Sequence, residues 1–154
     1  MNSRSIDLIE KTLLLIEKGG DDFVDKIGEF KEKISDGVLK YNSIDKEITH
    51  FLVFEKDGKV DELSFYCKDM AFPLKEVEAM FGAPRQGYNF RENYTQFTFS
   101  RKSKVINDIY FIKDNKFEFN DDGSIFEITP RGKKSNHSEV AFNAFCLKVV
   151  DNKI

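Results

Sequence analysis

Nucleophilic or metal chemistry in this chain would have to be built from few side chains. The 154 residues include two histidines, His50 and His137, and two cysteines, Cys67 and Cys146. A nucleophile needs a base beside it, and neither imidazole neighbours a Ser or Cys in a recognisable pattern. The sequence contains no G-x-S-x-G, no H-E-x-x-H and no G-x-x-x-x-G-K-[ST]. His50 sits in the apolar run ITHFLVF, a setting that suits a structural or strand-edge ring, and His137 lies in a polar loop. Catalytic partners can assemble from distant segments, so these absences argue against catalysis rather than forbid it. The cysteines are far apart, form no C-x-x-C pair and are flanked by apolar residues. Buried reduced thiols fit that placement better than a disulfide framework or a zinc site.

Two further patterns invite a ligand. Glu118, Asn120 and Asp122 followed by Gly123 imitate the opening of an EF-hand loop, but the twelfth position is Thr129, which cannot supply the bidentate carboxylate that completes a calcium shell. A hairpin turn explains the stretch better. The run RGKK at 131–134 could touch phosphates, yet no aromatic is interleaved with it and the chain is acidic overall, so a solvated loop is expected. Carboxylates are plentiful, but sequence alone cannot say which two meet as a glycosidase-like pair. Neither a metal nor a cofactor is expected.

The length fits one domain spanning 1–154, with enough chain to bury an independent core. The unusual part of the composition is aromatic: sixteen Phe, five Tyr and no Trp, with most Phe in alternating patterns late in the chain. Such residues suit pleated, half-buried surfaces, which points to a sheet-rich core. A formal net charge of -3 gives no long-range positive field to attract nucleic acid. At the N-terminus the uninterrupted apolar run is only 13–16, too short for a secretory or membrane segment, so a cytoplasmic protein without membrane association is expected.

The elements that would position any site can be read from periodicity. Ile6, Ile9, Leu13 and Ile16 recur at helical spacing up to Gly19-Gly20. Asp21 or Asp22 can cap a second helix in which Phe23, Ile27, Phe30 and Ile34 recur, with Gly37 as its stop. Asp57-Gly58 signals a hairpin between two strands, the second placing Leu63, Phe65 and Cys67 on one face. Leu74, Val77 and Met80 or Phe81 form a short helical stripe closed by Gly82 and Pro84. Strands are then expected over 94–101, with Thr95, Phe97 and Phe99 on one side, over 105–113, around Phe117 and Phe119, and over 125–129. The stretch 139–150 is ambiguous between strand and helix and is read as strand from its β-formers. The resulting fold class is α+β: an N-terminal helical hairpin and one short later helix packed on an antiparallel sheet of about five to seven strands.

Between the short helix and the strand at 94 lies RQGYNFRENY, a connection rich in Arg, Tyr and Asn. Such residues on a rigid scaffold supply contact area and hydrogen bonds, which makes Arg85, Tyr88, Asn89, Arg91 and Tyr94 candidate partner-binding residues. The plainer reading has Tyr88, Phe90 and Tyr94 covering the sheet edge while Arg85 and Arg91 pair with Glu92 or other carboxylates. Asp21, Asp22 and Asp25 form an acidic edge able to steer a basic partner.

The pattern L-x-x-V-E-x-x-F-G-x-P at 74–84, polar residues after it, and then TQFTF and NDIYFI together resemble the unit seen in β-lactamase-inhibitor-protein-like domains. The succession is also similar to that of small cytoplasmic immunity proteins that protect bacteria from toxins. The resemblance covers a minority of the chain and carries no catalytic residues. It implies a non-enzymatic binder that occludes a protein partner such as a basic toxin domain. The competing expectation is a cone-shaped ligand-binding protein or enzyme of the nuclear-transport-factor-like kind, with His50 and Tyr66 facing a cavity. A structural piece of a larger assembly is a third.

Overall fold

The first helix forms where the apolar stripe requires it. In the computed structural model, which describes residues 3–101, 103–122, 124–128 and 137–150, α1 spans Arg4–Lys18 and Ser3 caps it, its Oγ accepting from the Ile6 N–H at 3.4 Å. Such a cap is worth about 1 kcal/mol. Ile6, Ile9, Leu13 and Ile16 are all buried. The chain then turns through Gly19-Gly20 into α2, Phe23–Ile27, which is only five residues long.

Here the structure corrects the sequence. The expected continuation of the second helix through Phe30 and Ile34 is instead a strand, β1 (Gly28–Ser35), paired with β2 (Val38–Ser43). Gly28 disfavours a helix interior, and Asp36-Gly37 carries the same hairpin signature as Asp57-Gly58. Gly37 has φ 76°, a turn conformation, so it reverses a strand and does not stop a helix. The helical spacing of Phe30 and Ile34 does not reflect burial, since these side chains are 53% and 52% exposed.

The remaining elements follow the alternation more closely. β3 (His50–Lys56) and β4 (Lys59–Tyr66) form the hairpin expected at Asp57-Gly58, where both turn residues have positive φ. A two-residue strand β5 (Phe72–Pro73) leads into α3 (Leu74–Phe81), followed by β6 (Arg85–Asn89), β7 (Tyr94–Ser100) and β8 (Ile106–Asp114). A small hairpin, β9 (Lys116–Phe119) with β10 (Ile125–Ile128), stands apart from the main sheet. After a 3-10 turn at His137–Glu139, β11 (Ala141–Phe142) pairs with β5, and β12 (Ala144–Val149) enters the main sheet. The ambiguous stretch is therefore strand, with a bend at Asn143 that lets Phe142 and Phe145 both be buried despite their odd spacing. Gly123, Thr129 and the RGKK run lie outside the described residues.

The protein is thus α+β, with one large antiparallel sheet of eight strands in the order β1-β2-β3-β4-β12-β8-β7-β6. This exceeds the expected size because β1 and β2 add to the meander and β6 converts the RQGYN segment from loop to edge strand. One face of the sheet carries the core. Tyr41, Phe51, Phe65 and Phe145 are cross-strand neighbours on it, as are Leu39, Val53, Leu63, Leu147, Ile109 and Phe99. The buried apolar residues of all three helices join the same cluster. Arg101, just past β7, fixes α1 over the sheet through Glu17 at 2.8 Å. Among the described residues no helix is long and apolar enough to cross a membrane.

Two glycines with opposite surroundings test this packing. A Cβ on Gly28 would lie 2.4 Å from the buried Phe51 ring and 2.6 Å from the Asn42 carbonyl, whereas one on Gly87 in β6 would meet nothing within 4 Å. Gly28→Ala should lower the unfolding free energy by about 1–3 kcal/mol in a urea melt. Gly87→Ala should stay within about 0.5 kcal/mol of the parent.

Candidate functional site

The helices cover one face of the sheet, and the opposite face carries the polar half of the alternation. Leu52, Ser64, Cys146, Tyr110, Thr98 and Arg85 are successive cross-strand neighbours there, and Phe54, Glu62, Lys148, Asp108 and Ser100 form the next row. Towards the β6 edge this face bears a cleft of about 790 Å³. Its lining combines Arg85, Asn89, Tyr94, Gln96, Asp108 and Tyr110 with Glu62 and Lys148 deeper in the sheet.

Charges in the cleft are paired. The Lys148 ammonium donates to Asp61 at 2.9 Å and to Glu62 at 3.0 Å, and Arg85 lies 3.5 Å from Asp108. Opposite charges facing each other across strands stabilise the ladder modestly. The hydrogen bond with Asp61, opposed by burial and reinforced by Glu62, raises the Lys148 pKa and keeps it charged. Tyr110 is buried and donates its hydroxyl to Glu62 at 2.7 Å. Burial, then the neighbouring Cys146 and Glu62, push that phenol well above its ordinary range. Cys146 shares a 3.3 Å contact with Ser64, and burial raises its thiol to about 11. The cleft therefore offers fixed donors and acceptors, while its buried phenol, and the Cys146 thiol beside it in the sheet, hold their protons at neutral pH.

The five hairpin residues anticipated from sequence divide between this cleft and the turn beyond it. Arg85, Tyr88, Asn89 and Tyr94 all line the cleft. The Asn89 amide donates to the Tyr94 hydroxyl at 3.4 Å, and the Asn89 Oδ1 accepts from the Glu92 N–H at 2.9 Å. The Tyr88 hydroxyl bonds Asn93, whose φ of 53° closes the turn, and its ring meets Phe90 edge-on at 4.9 Å. Arg91 is exposed at the tip, away from the cleft lining, and forms no ion pair among the described residues. Arg85 takes the ion-pair role of the plainer reading, but with Asp108 and not Glu92.

The acidic edge is elsewhere. Asp21 lines a separate cleft of about 650 Å³ together with Glu17, Glu55, Asp57 and Asp61, while Asp22 pairs with Lys26 at 3.7 Å and Asp25 is exposed. Asp22 occupies the N-cap position of α2 but its side chain caps nothing. Neither histidine enters the polar cleft. His50 stacks on Tyr66 at 4.8 Å, and burial together with Lys40 and Lys31 lowers its pKa. His137 accepts from the Ile125 N–H at Nδ1, 3.2 Å away, so its Nε2 carries the proton donated to Glu78. That ring is a latch between α3 and the 3-10 turn, with both nitrogens engaged.

Sequence reading missed Glu62, Gln96, Thr98, Asp108, Tyr110 and Lys148. The available signal was the polar half of each strand, for example Gln96 and Thr98 opposite Phe97 and Phe99, but which strands become neighbours cannot be read from alternation.

The thiols give a direct check of this environment. Burial first, then Asp45 and Glu47, raise Cys67 to about 12, beside about 11 for Cys146, against an ordinary 9.0. Both should resist alkylation by iodoacetamide at pH 8 and react once the chain is unfolded in urea. Because the folded values are raised, the folded state keeps these protons where the unfolded chain loses them. This contribution to stability is full below pH 9 and is lost as pH rises towards the folded values of about 11 and 12. An unfolding midpoint that held steady from pH 8 to 11 would contradict it.

Comparison with protein-family models, with curated proteins and with solved structures finds no match for the chain.

Proposed function

We propose that the protein is a non-enzymatic protein-binding domain of the immunity or inhibitor kind, working in the cytoplasm by occluding the functional surface of its partner. The observation that supports this most is the polar cleft on the helix-free face, in which four of the hairpin residues anticipated from sequence converge. Its charges are already balanced, its buried phenol is held protonated, and its hydrogen-bonding groups sit on strands rather than on a pliable loop. Such a surface is suited to recognition. In this reading Arg85, Asn89 and Tyr94 contact the partner within the cleft, Tyr88 and Arg91 extend the contact along the hairpin, and Asp21, Asp22 and Asp25 steer a basic partner from a separate surface.

A second reading, binding of a small ligand, is favoured by the cleft volume, which falls in the range of about 300–1,000 Å³ usual for such sites. The two readings separate experimentally. Affinity purification of the tagged protein from its native cells should bring down a stoichiometric protein companion, and Tyr88→Ala or Arg91→Ala should weaken that complex by about tenfold or more. The melting temperature of both variants should remain close to the parent's. Loss of stability without loss of the companion would assign the hairpin to the fold, and a native-state mass spectrum carrying a small molecule in place of a companion would favour the ligand reading.

A further inference from the structure

The two edges of the main sheet are built differently. β1, at one end, has register irregularities between Phe30 and Glu32 and between Lys33 and Ser35, and carries Glu29, Lys31, Glu32 and Lys33. Bulges and charged side chains are devices that prevent a sheet edge from pairing with another chain. β6, at the other end, has no bulge, and its one charged side chain, Arg85, is engaged with Asp108. Its pairing with β7 runs without a break from Arg85↔Thr98 to Asn89↔Tyr94, it contains no Lys, Asp, Glu or Pro, and Gly87 at its centre faces open space. Among the described residues, its backbone forms no hydrogen bond outside the β6–β7 ladder. Directly after it stands Phe90, 82% exposed, the most exposed large apolar side chain among the described residues.

We infer that β6 pairs antiparallel with β6 of a second copy of this chain about a twofold axis through Gly87, joining the two sheets into one. The register makes the strand its own complement. Gly87 meets Gly87 of the second copy with no side chain between them, Gln86 faces Tyr88, and Arg85 faces Asn89. No like charges oppose each other, which is the condition an isologous strand pair must satisfy. Continuing the same register by one residue sets Phe90 against Pro84, giving the exposed ring an apolar neighbour at each end of the contact. The polar cleft lies on the face of the sheet, so dimerisation leaves it open and places the two clefts side by side. The inference stands independently of what the cleft binds.

Sedimentation velocity from about 5 to 500 µM should show a reversible monomer–dimer equilibrium, a range that captures the modest affinity of a short strand pair. Gly87→Cys should form a disulfide-linked dimer under mild oxidation at least about tenfold faster than Lys31→Cys on the protected edge, because pairing raises the local thiol concentration. The native cysteines are buried and do not compete. Gln86→Lys with Tyr88→Lys sets lysines opposite each other and should abolish the dimer, whereas Gln86→Lys with Tyr88→Glu sets opposite charges together and should retain it. A monomer at all concentrations, with equal cross-linking rates for the two cysteine variants, would overturn the inference. So would a dimer that the double-lysine variant leaves intact while its circular dichroism is unchanged. Should that variant fail to fold, the comparison of cysteine variants decides.

Discussion

A continuous run of aromatic contacts holds the sheet and everything attached to it. It passes from Phe30 to Tyr41 (5.7 Å), Phe51 (5.3 Å), Phe65 (5.2 Å) and Phe145 (4.9 Å). From there it crosses through Phe72 to Phe111, Phe142, Phe97 and finally Phe117, with centroid separations between 4.8 and 6.3 Å. Each such pair adds about 0.5–1.5 kcal/mol beyond the burial of its area. The rings do more than fill space: they tie β1 at one edge to the small β9–β10 hairpin beyond the other half of the sheet. Phe72 and Phe142 belong to the minor two-stranded pair, so that pair joins the core through its rings.

The cleft depends on this arrangement indirectly. A strand's side chains alternate between faces, so every ring committed to the core commits its sequence neighbour to the opposite face. Phe97 and Phe99 place Gln96 and Thr98, Phe111 places Tyr110, and Phe145 and Leu147 place Cys146 and Lys148. The polar surface is the complement of the apolar one. Its charges are then matched across strands by register, as Glu62, Lys148 and Asp108 show.

This explains what could be read in advance. The α+β class, α1, α3, the Asp57-Gly58 hairpin and the strand at 94 rest on local periodicity and turn chemistry, and these are legible residue by residue. The helix expected through Phe30 and Ile34 fails because two apolar residues four apart fit either a helix stripe or one face of a strand, and here the bulges of β1 and the Asp36-Gly37 turn decide. The RQGYN segment was legible as unusual but not as a strand, since its pairing partner lies in the next element and Gly87 lowers its local strand preference. Within the cleft, the hairpin side could be named from composition. Glu62, Tyr110 and Lys148 could not, because they come together only through the non-consecutive neighbours β4, β12 and β8.

That order has a consequence for synthesis. β12 is the last strand among the described residues, yet it lies between β4 and β8, with β1 to β4 on one side and β6 to β8 on the other. While the ribosome is still making residues 144–149, both half-sheets have an unfilled inner border at β4 and β8, with their apolar faces not yet joined. Long-range strand insertion of this kind is slow and leaves nascent chains open to aggregation. The main sheet is accordingly completed only when β12 inserts, and its two halves keep open inner borders until residues 144–149 are in place.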